Sequence, residues 1–155
     1  MGAVEARAGL TGGCQCGAVR YRLDAEPYGA NICHCRMCQK ATGGAFMASG
    51  TVPIDRLIWT RGAPKVFASS AIAERGFCAQ CGTPLTFRYI KRNRISVTIG
   101  SLDDPTAVTP AIQYGVESKL PWLDSAVASL AHKTSDWLKL DIEALGSRQH
   151  PDTGA

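Results

Sequence analysis

The chain has 155 residues, 45% of them hydrophobic and 19% charged, with a formal net charge of +4. That length and balance describe one globular domain able to bury a core, and they exclude a disordered chain. The charge is too slight to call for nucleic acid, no apolar run reaches the length of a membrane span, and no secretory signal opens the sequence, so a cytoplasmic setting is expected.

In chain order, residues 1–9 read as a flexible leader. Val19, Tyr21 and Leu23 alternate with Arg20, Arg22 and Asp24, the period-two pattern of a half-buried strand. Phe46 to Val52, Leu57 to Thr60 and Lys65 to Ser69 are further short strand candidates. Leu85 to Ile90 and Arg94 to Ile99 flank Lys91-Arg92-Asn93, which reads as a hairpin with a basic, solvated tip that takes in Arg94. Turn residues recur at short intervals, from Gly43-Gly44 to Pro110, a rhythm that predicts a mainly β fold. Helical signal is thin: Asp124 to Leu130 offers a turn or two, capped by Asp124 or Ser125. Residues 146–155 read as a flexible tail. With no repeat and no linker, residues 10–145 are expected to form a single domain.

The seven cysteines fall in three clusters and none is left over: Cys14-Gln15-Cys16, Cys33-His34-Cys35-Arg36-Met37-Cys38, and Cys78-Ala79-Gln80-Cys81. In a reducing compartment such pairs are metal ligands more often than disulfides. Cys14, Cys16, Cys78 and Cys81 add up to a closed four-thiolate zinc site, and Gly17 and Gly82 suit the tight turns that would present the sulfurs. Cys33, Cys35 and Cys38 offer only three thiolates. A three-ligand zinc keeps a position for water or substrate, the mark of a site that does chemistry. Two other arrangements stand beside this one. Seven cysteines in a secreted chain could form disulfides with loose thiols, and two structural zincs could share His34 or an acidic residue as eighth ligand. His34 lies between two ligands, so a place behind them or facing substrate suits it better than direct ligation, and a solvated His34 is an equal reading.

Three stretches carry a resemblance: Gly12 to Tyr21, with Cys14 and Cys16; Cys33 to Lys40, followed by Gly43-Gly44; and Phe77 to Leu85, with Cys78 and Cys81. In their order and spacing they resemble the glutathione-dependent formaldehyde-activating enzyme family, also called the GFA or CENP-V family. Ile95 to Asp103 and Glu117 to Trp122 look similar too, so the likeness covers roughly residues 10–123. It implies a β-tent (Mss-like) fold, small β-sheets stapled by zinc with little helix. It implies a structural zinc on Cys14, Cys16, Cys78 and Cys81, and a second, functional zinc on Cys33, Cys35 and Cys38. The implied activity is that of a carbon–sulfur lyase acting on a thiol–aldehyde adduct, such as S-hydroxymethylglutathione from formaldehyde and glutathione.

The implied partner is thus a small thiol such as glutathione, with no nucleic acid or membrane and with room for a homodimer. Thiolate ligands donate strongly, so such a zinc suits a soft sulfur ligand better than activation of water. A thiolate held there could attack an aldehyde carbon. Candidates to steady the developing alkoxide are His34, Lys40 and the amides around Gly43 and Gly44, with Trp122 as pocket wall. The alternative functions are a zinc-stapled binding module with no catalysis, or a thiol or zinc sensor.

Overall fold

The computed structural model describes residues 9–129, 131–133 and 146–153. The leader expected over residues 1–9 lies outside the described residues apart from Gly9, as do Leu130, residues 134–145 and the last two residues of the tail. The described chain is mainly β, with two short helices.

A three-stranded antiparallel sheet has the order β1 (Leu10–Gly13), β2 (Arg20–Leu23), β5 (Leu57–Arg61). A seven-stranded sheet runs β10 (Ile112–Tyr114), β3 (Tyr28–Cys33), β4 (Met47–Pro53), β9 (Arg94–Thr98), β8 (Pro84–Tyr89), β7 (Ala73–Phe77), β6 (Lys65–Ala68). Its neighbours pair antiparallel except β10 with β3. The expected strands over 46–52, 57–60 and 65–69 and the hairpin of β8 and β9 are present within a residue or two. Helix α1 (Arg36–Thr42) begins within the middle cysteine cluster, where no helix was expected, and α2 (Leu123–Val127) lies where the thin helical signal placed it.

Side chains of a strand alternate between the two faces of its sheet, and the seven-stranded sheet divides its labour accordingly. Val52, Leu85, Ile95 and Val97 face the core and join Tyr21, Leu23 and Leu57 of the smaller sheet in one buried cluster. The other face mixes small polar residues, Ser49, Thr51 and Ser96, with larger aromatic and basic ones. Tyr28, Thr51, Ser96, Phe87 and Arg75 are successive register partners on β3, β4, β9, β8 and β7, so they form one row across five strands.

One expectation on β2 needs correction. Strict alternation turns Arg20 to solvent with Arg22, yet Arg20 is buried. Its guanidinium meets the Asp103 carboxylate at two points, Nη1 to Oδ1 at 2.9 Å and Nη2 to Oδ2 at 2.5 Å, and this satisfies a charge that could not otherwise be buried.

Candidate metal centres and an arginine-lined cavity

The four outer cysteines come together. Cys14 follows β1, Cys78 follows β7, and Cys81 lies just before β8, so this cluster ties the smaller sheet to the β7–β8 hairpin of the larger one. Its sulfurs all lie within 4.8 Å of one another, with Cys14 to Cys16 at 3.6 Å and Cys16 to Cys78 at 3.8 Å. Four sulfurs about 2.3 Å from a zinc ion would stand about 3.8 Å apart, so the cluster fits a tetrahedral ion, whereas a disulfide needs about 2.05 Å. All seven cysteines are free. Backbone N–H groups of Val19 and Gln80 point at the sulfurs of Cys14 and Cys78, at 3.2 and 3.4 Å. Gly17 and Gly82 close the two turns in the left-handed region, at φ +77° and +79°. Cys14 and Cys78 are part of the hydrophobic core itself.

The tail run 146–153 reaches this centre. The His150 N–H donates to the Gln15 carbonyl at 2.7 Å, and Arg20 Nη2 donates to the Thr153 carbonyl at 2.6 Å.

Cys33, Cys35 and Cys38 form a second cluster within the same span. Cys33 ends β3, paired with Met47 on one side and Tyr114 on the other. Cys35 caps the start of α1, and Cys38 lies in its first turn. The loop between them is held from several directions. The His34 N–H donates to the Tyr114 carbonyl at 2.9 Å. Buried Gln39 donates through Nε2 to the carbonyls of His34 and Ser118, at 2.7 and 2.9 Å. Burial pushes Cys38 up to about 12, against the pull of the Arg75 guanidinium. Burial also pushes Cys35 upward, but the Cys38 N–H and the neighbouring sulfurs outweigh it and hold Cys35 below the ordinary thiol range. A soft three-sulfur donor set with one thiol already eased toward thiolate fits a metal ion such as zinc.

These three cysteines line a cavity of about 390 Å³ on the polar face of the large sheet. None of the four outer cysteines does. Tyr28, Tyr89 and Tyr114 stand half-exposed around it, and Arg75, Arg88 and Arg94 are its cations. Arg88 is ion-paired with Glu74. Arg94 is exposed beside the hairpin turn, as expected, and also lines the cavity, because period two puts it on the same face as Ser96. Its side chain has no ion pair or hydrogen bond among the described residues.

The other residues singled out from sequence fall elsewhere. His34 is buried rather than solvated; its Nε2 lies 2.9 Å from Gln113 Oε1 and its ring stands edge-on to Phe46. It does not line the cavity. Lys40 is exposed on α1, Gly43 is the left-handed C-cap of that helix, and the Gly44 N–H donates to Thr42 Oγ1. Trp122 is half-exposed at the start of α2. None of these four borders the cavity either. Arg75, Arg94 and the three tyrosines were missed, because only the register across five strands brings them together; the lone hint was the alternation of Arg94 and Ser96 with Ile95 and Val97.

Comparisons with known proteins bear on the family and the fold. The family model described as glutathione-dependent formaldehyde-activating enzyme matches residues 9–118. A Schizosaccharomyces pombe protein named as an uncharacterized lyase is 35% identical over 78 residues, 50% of this chain and 56% of that protein. A Halomonas elongata protein that carries the name of a glutathione-dependent formaldehyde-activating enzyme is 34% identical over 85 residues, 49% of this chain and 54% of that one. The chain therefore spans about half the length of the curated relatives it matches. A crystal structure of a Rhodobacter sphaeroides protein shares the fold at a TM-score of 0.52 and 21% identity, covering 66% of this chain and 98% of that one. No helix among the described residues is long and apolar enough to cross a membrane.

Proposed function

The chain belongs to the glutathione-dependent formaldehyde-activating enzyme family, and from that premise we propose that it is a zinc-dependent enzyme of carbon–sulfur chemistry. Its reaction joins a small thiol such as glutathione to an aldehyde such as formaldehyde, or releases the aldehyde from the adduct. The observation that carries this reading is that all three thiolates of the inner cluster line one cavity of about 390 Å³, whereas of the outer four only Cys14, itself buried, borders a pocket, a smaller one of about 240 Å³. A zinc-stapled binding module has no need of thiolates at the wall of a cavity.

Cys33, Cys35 and Cys38 would hold the functional zinc, and Cys14, Cys16, Cys78 and Cys81 the structural one. When bound at the open site, zinc supplies a position where an entering thiol is kept as thiolate. The sulfur lone pair attacks the carbonyl carbon and the C–S bond forms. The π pair of the carbonyl moves to oxygen, which takes back a proton equivalent to the one the thiol gave up. The reverse reaction breaks the same bond. Tyr28, Tyr89 and Tyr114 pack against the body of the thiol and exclude water. Arg94, which has no ion-pair or hydrogen-bond partner among the described residues, receives a substrate carboxylate at the cavity. Arg88, occupied by Glu74, is the poorer receptor.

Exchange NMR on formaldehyde and glutathione with the zinc-loaded protein tests this. Adduct interconversion should run faster than the uncatalysed background. Arg94→Ala should raise KM for glutathione about tenfold, as loss of a charge-assisted hydrogen bond would, with kcat held. No acceleration over background would contradict the reaction.

A further inference from the structure

The most buried cation of the cavity is Arg75, only 9% exposed. It has no carboxylate partner among the described residues. Its Nη1 donates to Met47 Sδ and its Nη2 to Cys38 Sγ, each at 3.4 Å, and its Cζ lies 4.9 Å from the centre of the Phe87 ring. The other near-fully buried guanidinium, that of Arg20, is held by the carboxylate of Asp103. A guanidinium withdrawn from water needs a compensating negative charge, and a thioether and a ring face supply none. Among the described residues, the one group in contact that can carry a negative charge is the Cys38 sulfur, as a ligand of a bound metal ion.

Formal charge makes the pairing informative. A dication on three thiolates totals about −1, and a fourth thiolate would bring it to about −2. At the outer cluster water can solvate such a charge, because Cys16 is exposed and Cys81 partly so. At the inner cluster Cys33 and Cys35 are partly exposed, but Cys38 is buried, and the cation that meets its sulfur is the Arg75 guanidinium. We propose that Arg75 is the built-in counter-charge of the Cys33, Cys35, Cys38 centre: it secures the metal there and makes its open position accept an anionic sulfur ligand. This rests on the zinc assignment above and goes beyond it in naming the residue that selects a thiolate.

The test is zinc affinity, read by competition with a chromogenic chelator, for wild type, Arg75→Met, Arg75→Lys and Met47→Leu. Arg75→Met should weaken the second zinc at least about tenfold, the usual scale for removing a group that supports a metal ligand, and leave the first unchanged. Arg75→Lys should fall between, keeping charge without the forked donors. Met47→Leu should match wild type, since the bond to Cys38 survives. In cobalt-substituted protein, the thiolate-to-metal absorption should move to longer wavelength in Arg75→Met, because Cys38 loses a hydrogen bond, an effect that looser packing alone would not produce. If Arg75→Met does not fold, Arg75→Lys against Met47→Leu decides the same point. Wild-type zinc affinity and an unmoved band in Arg75→Met, or in Arg75→Lys where that variant stands in, would overturn the proposal. Neither readout uses formaldehyde or turnover, so a wild type inactive on glutathione would count against the proposed reaction and leave the counter-charge role of Arg75 to be decided by the zinc affinities alone.

Discussion

Arg20 and Arg75 are both charged residues on strands, and both are buried. Period-two reading can say which face a residue joins, but not whether that face meets water or a partner distant in sequence. Asp103 is 83 positions from Arg20 along the chain, and nothing local announces it. The pair also takes a hydrogen bond from Thr11 Oγ1 to Asp103 Oδ2 at 2.6 Å, joining β1 and β2 to the loop after β9. Asp103→Ala would leave a buried guanidinium unpaired, and urea unfolding should show a loss of about 3 kcal/mol, as breaking a buried ion pair does. A loss under about 1 kcal/mol would mean that water reaches Arg20. The cysteines were legible for the opposite reason: the chemistry of a thiolate cluster is carried by residue type and spacing, with no need to know the face.

At the scale of elements, six of the ten strands were read closely, while β1, β3, β7, β10 and helix α1 were not. Seven residues make about two turns, too few for a 3.6-residue period to declare itself. The helix has no side-chain cap and no acid in its first turn, so intrinsic signals would not start it. Its support comes from its surroundings and from its own side chains: Gln39 grips the distant carbonyl of Ser118 and the nearby one of His34, and within the helix Thr42 Oγ1 donates to the Cys38 carbonyl at 2.9 Å. Gly115, just after β10, presses on the same loop. It has φ +62°, and a Cβ there would come within 2.7 Å of the Cys35 nitrogen. Gly115→Ala should therefore displace Cys35 and release the second zinc, while the four-thiolate site keeps its metal. Zinc analysis after dialysis checks this; two zincs retained per chain would mean that the loop yields without moving its sulfur.

Across the whole molecule, the two faces of one sheet carry different duties. The core face joins both sheets, and the outer cysteines lock that joint, since Cys14 and Cys78 belong to the hydrophobic core. The opposite face bears the cavity and the inner cysteines. Family likeness and cysteine spacing picked out the two cysteine groups, whereas the substrate contacts expected at Lys40, Gly43, Gly44 and Trp122 do not border the cavity. The cavity instead draws on β3, β4, β7, β8, β9 and β10, whose approach depends on pairings that no local pattern encodes.

That division makes the two centres separable, and zinc per chain reads it directly. The measurement is made on wild type, Cys35→Ser and Cys78→Ser, with a thermal melt of each and with cobalt spectra before and after glutathione. Wild type should hold two zincs, and its second site should gain a sulfur-to-cobalt band on adding glutathione. Cys35→Ser should stay folded with one zinc and show no response to glutathione. Cys78→Ser should lose the cooperative melt, because binding at a structural zinc is folding free energy. An unfolded Cys35→Ser beside a normally melting Cys78→Ser would contradict this division of the two centres. So would a wild type that holds two zincs yet is indifferent to glutathione and to every other small thiol offered.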